Sequence, residues 1–420
     1  MYSLVADGFG YLASLDAAGL IAIFWLTILF DIPRTLFLFV AAAITRPEMD
    51  RTGARDGHRV SLIIAGHNEA DSIERCVRSL HEQSRPPDEI IVISDGSTDA
   101  MPAVIRDLQR KGLIDQAHST HLRAGKAAAM NLASRWVTGD IVINVDCDCS
   151  FHRHAIRNII APFDDPAIGA VSGNILVRNE TASLIATFQA IEYLITLSLS
   201  KQAQALFGQV TCVSGAFSAF RRTALEQVNG VDAGSGEDFD LTLRLRKAGW
   251  RIGFSPRAVC YTDVPVTVRA LVKQRFRWER DALRLRYRKH GDLMNPLSRN
   301  FSLREAFHEI EFVIFHVIAA AALPFYLLWL FLTYGNMAML VLVIVQLLSM
   351  ALDYLVFALA ARATPDKTVT GLLPFALVFG AFQGFFMRFV RLAAYMDEWL
   401  FNSSARDTYV PEKVQILRRW

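Results

Sequence analysis

Two hydrophobic patterns divide the chain. One is continuous: from Ala17 to Thr45 the only charged positions are Asp31 and Arg34, and three further apolar runs follow late in the sequence, Phe312 to Thr333, Met337 to Ala361 and Leu372 to Ala394. At ~1.5 Å rise per helical residue each run reaches across the ~30 Å of bilayer hydrocarbon, so the pattern predicts about four membrane crossings. Asp31 and Arg34 stand three apart on one helical face, either where the helix leaves the bilayer or as a paired site within it. Gly371, Pro374, Gly380 and Gly384 leave the last run open to a partly re-entrant path.

The other pattern is short and broken, and occupies the residues between the first run and the later three. Arg59 to Ala65 suits a buried strand and is followed by Gly66-His67-Asn68-Glu69 and an amphipathic stretch from Ala70 to Gln83. Glu89 to Ile93 predicts a second strand, ending in Ser94-Asp95-Gly96-Ser97, and Asp140 to Val145 a third, ending in Asp146-Cys147-Asp148. Strands alternating with helices predict an α/β domain with a mixed, mostly parallel sheet. Ligands bind beyond the carboxyl ends of such strands, where these polar clusters lie.

Composition sharpens this division. The chain has 420 residues, 52% of them hydrophobic and 20% charged, below the ~25% charge of typical globular chains, so the apolar excess is local. Disorder, collagen and a small disulfide scaffold are excluded, and a net charge of +3 offers no strong footprint for nucleic acid. Residues 1 to 33 hold no Lys or Arg, and only eight of the 44 basic residues lie beyond Glu311, which marks the block from Arg34 to Ile310 as cytoplasmic. Tyr334 to Asn336 suits an outer loop, and Arg362 with Lys367 an inner one. Parity then exports the C-terminus while its basic residues argue for retention, so sidedness there stays open. Cys76, Cys147, Cys149, Cys212 and Cys260 lack paired Cys-x2-Cys spacing, and reduced thiols are the expectation.

The candidate chemistry sits in the middle block. Asp146 and Asp148, one residue apart at a strand end, point to the same side of an extended backbone and suit Mg2+ or Mn2+, hard cations that share oxygen ligands with phosphates; a solvated loop is the plain alternative. Asp95 could equally cap a turn. Lys126 beside Gly125 could meet phosphate or be surface charge. Gly236-Glu237-Asp238 opens a helix expected to run through Lys247, where acidic residues also serve as caps. Gln274-Arg275-Phe276-Arg277-Trp278 places cations and aromatics on a helix, fit for a diphosphate and a sugar ring or for a membrane interface.

Their order in one chain, between membrane segments, resembles the family-two inverting glycosyltransferases, in particular the processive poly-N-acetylglucosamine, rhizobial chitin-oligosaccharide, hyaluronan and cellulose synthases. The resemblance covers about residues 59 to 290. It implies a GT-A nucleotide-sugar fold at 59–260, a transmembrane helix at 1–45 with a linker at 46–58, interfacial helices carrying the Gln-x-x-Arg-Trp signature at 261–310, about three transmembrane helices at 311–400, and a basic tail at 401–420. It further implies that Asn68, Glu69 and Asp95 contact uracil and ribose, that Lys126 holds the nucleotide, and that Asp146 and Asp148 hold a metal diphosphate. Asp238, next to Glu237, would be the general base. Gln274, Arg277 and Trp278 would close over the UDP and the acceptor's terminal sugar, and Ser214 with Gly215 would receive the acceptor. Three departures stand out: His67 where Tyr is common, Ser94 for the first of two Asp, and Glu279-Arg280-Asp281 in place of a small, Gly-containing sequence.

The expected reaction is polymerisation of a β-linked glycan from UDP-N-acetylglucosamine first or UDP-glucose second, with Mg2+ or Mn2+, at the bacterial inner membrane, followed by secretion. The alternative is transfer of one sugar to a lipid, as in ceramide glucosyltransferase. His316, Gln346 and Asp353 are candidates to line a conduit, and the segment from Thr181 to Gln209 is expected along the membrane face. So few crossings suggest an accessory subunit or a second copy as partner.

Overall fold

The strand runs form because both of their faces are covered. β1 (Val60–Gly66) sends Val60, Leu62 and Ile64 into one apolar layer and Ile63 and Ala65 into another, the period-two alternation of extended chain. The Ala70–His81 helix meets the first layer with Ile73, Cys76, Val77 and Leu80, the spacing of one helical face. The Lys126–Ala133 helix meets the second with Met130 and with Ala127, Ala129 and Ala133, three small residues that let it lie close to the sheet.

The computed structural model describes residues 10–44, 57–206, 208, 210–232, 234–364, 368–406 and 411. The expectations for the linker before Gly57, for Lys367 and for the tail beyond Arg406, other than Pro411, fall outside the described residues. The sheet comprises β1, β2 (Glu89–Asp95), β3 (Gln116–Thr120), β4 (Ile141–Val145), β5 (Ser150–Phe151), β6 (Ile168–Val177), β7 (Phe217–Arg221) and β8 (Arg251–Thr262). Their order is β3-β2-β1-β4-β7-β6-β8-β5. The first four are parallel, β7 is antiparallel to β4 and β6, β8 is parallel to β6, and β5 is antiparallel to β8. Register pairs Gly66 with Ser94, Ile64 with Val145, and Asp95 with Thr120, so the three polar loops leave the sheet at one edge.

Four helices among the described residues are long and apolar enough to cross a membrane: Ala17–Phe37, Leu303–Tyr334, Met337–Arg362 and Val369–Phe401. The last run is continuous helix rather than re-entrant, through Leu373–Ala381, a π turn at Phe382–Phe386, and Met387–Phe401. Pro374 falls in its first turn, where a missing N–H breaks no helical bond. The helix from Leu303 passes through a π turn into Ala319–Tyr334, so no break in the helix falls at the expected boundary of 310. Asp31 ion-pairs with Arg388 of the last span, not with Arg34, since packing brings the two helices together.

The segment after β6 lies between sheet and membrane helices. Its Leu184–Glu192 helix and Tyr193–Leu199 π turn share one core with Ile175 and Val177 of β6 and with Phe357, Phe379 and Phe382 of the spans. The Phe188 and Phe382 rings stack at 5.0 Å.

Candidate active site

A cavity of about 240 Å³ opens at the carboxyl edge of β1, β2 and β4. Glu69, Asp95, Arg123, Lys126, Asp146, Asp148 and Glu237 line it, together with the backbone of Gly125 and Gly234. Of these, Glu69, Asp95, Asp146 and Asp148 belong to the polar clusters that the sequence placed at strand ends.

Asp95 is buried and fixes the loop that carries Lys126: its two carboxylate oxygens accept the amides of Ala124 at 2.8 Å and Gly125 at 2.7 Å. Gly96, at φ +60°, allows the loops to close, because a Cβ there would fall on the Arg123 backbone nitrogen. His67, the first departure, turns Nδ1 to the Asp95 carbonyl at 2.8 Å. Asn68 is exposed and does not line the cavity. It lies at φ +59°, and its Oδ1 accepts the Thr98 amide at 2.8 Å, tying the first polar loop to the second. Ser94, the second departure, is buried and its hydroxyl meets that of Ser97 at 2.9 Å.

Asp146 and Asp148 both face the cavity. Lys126 bonds Asp146 Oδ1, and Asp148 Oδ2 accepts the Thr262 hydroxyl at 3.0 Å. Burial raises the Asp148 carboxyl above its ordinary range, and Asp146 adds to this. Burial likewise raises Glu69, reinforced by Asp148 and Asp146 despite the Ser72 hydroxyl bonded to it. Converging carboxylates of this kind favour a cation, and hard oxygen donors fit Mg2+ or Mn2+. Among the described residues no three His, Cys, Asp or Glu side chains are arranged to hold a metal unaided; two carboxylates completed by phosphate oxygens is the usual Mg2+ arrangement. The neighbouring thiols do not compete: burial pushes Cys147 well up, and a hydrogen bond with Cys260 followed by burial does the same for Cys149.

On the opposite wall Gly236, at φ +75°, starts the Glu237–Lys247 helix. Burial pushes the Glu237 carboxyl up to about 7; Asp238 and Asp146 act in the same direction and Lys126, 4.0 Å away, opposes. Asp238 is not part of the cavity lining. Its Oδ2 accepts the Gly215 amide at 3.1 Å, and the Gly215 carbonyl accepts Lys126 Nζ at 2.9 Å and Asn144 Nδ2 at 2.6 Å. Ser214 is buried behind this turn, with its hydroxyl on Lys201 at 2.5 Å.

Gln274, Arg277 and Trp278 lie on the Val268–Arg284 helix and do not line the cavity. Trp278 is partly buried, with the Arg275 guanidinium 4.4 Å from its ring centroid. Arg275 itself pairs with Glu192 at 2.6 Å. The third departure has a structural explanation. Glu279 bonds Arg391 and Tyr395, Arg280 pairs with Asp397 at 3.2 Å, and Asp281 accepts the Ser235 hydroxyl. Arg284 also donates to the Ser235 carbonyl at 2.6 Å. The helix is thus tied to the last membrane span on one side and to the loop before Glu237 on the other.

Sequence reading missed Thr262 and Arg178, whose Nη2 donates to the Asp148 carbonyl at 2.9 Å and pairs with Asp263 at 2.6 Å. Only Arg123, beside the Gly-Lys dipeptide, carried a local signal.

A second cavity, of about 100 Å³, lies among the membrane helices and is lined by Asp31, Arg34, Thr196, Asp353, Gln383, Arg388 and Arg391 among others. Of the three expected conduit residues, Asp353 lines it and His316 and Gln346 do not; His316 instead stacks on Phe312 at 5.2 Å.

Residues 58–280 match the profile of the family described as glycosyltransferase like family 2. The poly-beta-1,6-N-acetyl-D-glucosamine synthase of Staphylococcus epidermidis is 32% identical over 221 residues, covering 52% of this chain and 53% of that protein. The Staphylococcus aureus (strain MSSA476) protein of the same name is 32% identical over 224 residues, with the same shares covered. The chain thus spans about half the length of the curated relatives it matches. A mannosyltransferase from Pyrobaculum calidifontis, solved with GDP-Man and Mn2+, superposes with a TM-score of 0.59 at 21% identity, covering 95% of this chain and 99% of that one, a likeness of fold.

Proposed function

The chain belongs to glycosyltransferase family 2, and from that premise we propose that it polymerises a sugar from a UDP-sugar, UDP-N-acetylglucosamine first and UDP-glucose second, into a β-linked glycan. An acceptor hydroxyl attacks the anomeric carbon of the α-linked donor, and UDP leaves from the opposite face. The C–O bond to the acceptor forms as the bond to the diphosphate breaks, and the configuration inverts.

The observation that carries this reading is the Gly215 backbone. Its N–H holds Asp238 and its C=O holds Lys126, which itself bonds Asp146. A single residue therefore brings together a carboxylate able to accept the acceptor's proton and a cation able to meet the donor's diphosphate. In this reading Asn68, Glu69 and Asp95 serve the uridine end, and Lys126 the diphosphate. Asp238 is the base, worth ~100- to 10,000-fold for such a group, with Glu237 beside it. Gln274 and Arg277 close over the donor, while Trp278 and the Ser214-Gly215 turn meet the acceptor, the turn through its Gly215 backbone because Ser214 is buried. Asp146 and Asp148 would hold Mg2+ or Mn2+, which when bound neutralises charge developing on the leaving diphosphate.

The catalytic domain would face the cytoplasm of a bacterium, with the polar cavity among the spans supporting passage of the product outward and an accessory subunit or second copy completing the conduit. Labelled UDP-N-acetylglucosamine and UDP-glucose, given in turn with Mg2+ or Mn2+ to the purified protein in lipid, test this by product sizing and linkage analysis. A β-linked ladder or polymer is the expected result. A single-sugar glycolipid would instead establish the lipid-acceptor alternative, and no metal-dependent UDP release would overturn both.

A further inference from the structure

Lys201 is a buried ammonium that the mechanism above does not use. It sits on the Ser200–Leu206 helix at 6% exposure, outside the cavity lining. Among the described residues its hydrogen bonds go to two hydroxyls, Ser214 Oγ at 2.5 Å and Ser172 Oγ at 3.1 Å, and it forms no ion pair. A buried cation without a carboxylate partner is costly, and methionine would fill similar space without that cost. Burial lowers the Lys201 ammonium from its ordinary range, while Cys212 and Asp238 act to raise it.

The two hydroxyls lead to the reaction centre. Ser172 on β6 accepts the Ser214 amide at 3.1 Å, so Lys201 and Ser172 clamp Ser214 through both side chain and backbone. The next residue, Gly215, meets both Asp238, through its N–H, and Lys126, through its C=O. A side chain that fixes Ser214 from behind therefore fixes the direction of the Gly215 N–H. Its charge lies behind the same turn that the Asp238 carboxylate touches in front.

We propose that Lys201 is a positioning residue for sugar transfer: it locks the Ser214-Gly215 turn through Ser172 and Ser214, and so aims the Gly215 N–H at the Asp238 carboxylate. The inference rests on the assignment of Asp238 as base.

The test compares native enzyme with Lys201→Met, Ser214→Ala and Ser172→Ala in lipid, measuring UDP affinity, donor KM and kcat. Lys201→Met should retain native UDP affinity and donor KM within ~3-fold while kcat falls ~10-fold or more. The two alanine variants should lower kcat at native donor KM in the same way, since each removes one of the two hydroxyls that Lys201 acts through. A Lys201→Met enzyme with native kcat, or one whose loss lies wholly in UDP affinity and donor KM, overturns the proposal. If Lys201→Met fails to bind UDP and so does not fold, native turnover in both alanine variants overturns it, and reduced kcat at native donor KM supports it. Inactivity of the native enzyme with every UDP-sugar would instead indict the functional assignment.

Discussion

Glu279 accepts a hydrogen bond at 2.9 Å from Nε of Arg391 and another at 2.7 Å from the Tyr395 hydroxyl. The first residue beyond the Gln-x-x-Arg-Trp sequence is thereby fastened to the last membrane span, with both partners of the ion pair largely buried. Removing one partner of such a pair leaves a buried charge uncompensated, at a cost of ~3 to 5 kcal/mol, whereas replacing both is often tolerated. Glu279→Ala should therefore lower the thermal unfolding temperature in lipid, and Glu279→Ala with Arg391→Met should recover much of the loss. An additive double variant would show that the two side chains do not act as a pair.

Asp95 acts through the loop it holds. Its two bonds to the Ala124 and Gly125 amides are charge-assisted, each worth ~1.5 to 3 kcal/mol. Asp95→Ala should release Arg123 and Lys126 and weaken UDP binding by ~10- to 100-fold, measured by equilibrium titration. Gly96→Ala should do the same without removing any charge, because the crowding is at the Arg123 backbone. Native UDP affinity in both variants would show that the loop needs neither residue.

Asp238→Asn keeps the shape of the side chain and removes its basicity. Sugar transfer should fall by ~100- to 10,000-fold while UDP binding stays near native. Substantial retained turnover in a radiolabelled transfer assay would reject Asp238 as base.

Glu237 gives a pH signature of known sign. Its carboxyl is pushed up to about 7, chiefly by burial, so it is neutral below that pH and adds negative charge to the cavity above it. With Mg2+ saturating, UDP affinity should fall as pH rises through about 7, by several-fold for one nearby charge. Glu237→Gln, neutral throughout, should hold the low-pH affinity and flatten the dependence. Isothermal titration at pH values on either side of 7 measures this, and an unchanged slope in the variant would assign the effect elsewhere.

The legible and illegible parts of the fold differ in a physical way. β1, β2 and β4 were visible because each is a short apolar run that ends abruptly in polar residues, and the Glu237–Lys247 helix because a glycine and acids mark its start. β8 was not, because Pro256 interrupts it. The pairing with β6 jumps there, from Gly173 against Ser255 to Asn174 against Val259, leaving residues 256–258 as a bulge that a proline can occupy. β3, Gln116–Thr120, is a polar strand at the edge of the sheet and carries no apolar signature.

The sequence by itself determined the four spanning runs, the strand ends and the identity of the polar side chains at them, because periodicity and chain breaks are local properties. Only the tertiary structure decided which of those side chains meet. Lys126 reaches the Gly215 carbonyl across 89 residues, and Glu279 meets Arg391 across 112. Such contacts follow from sheet register and from the packing of helices distant in sequence, and no local pattern encodes either. The three residues after Trp278 show the difference most clearly: in sequence they depart from the family's pattern, and in the folded chain they fasten the Gln-x-x-Arg-Trp helix to a membrane span and to the loop before Glu237.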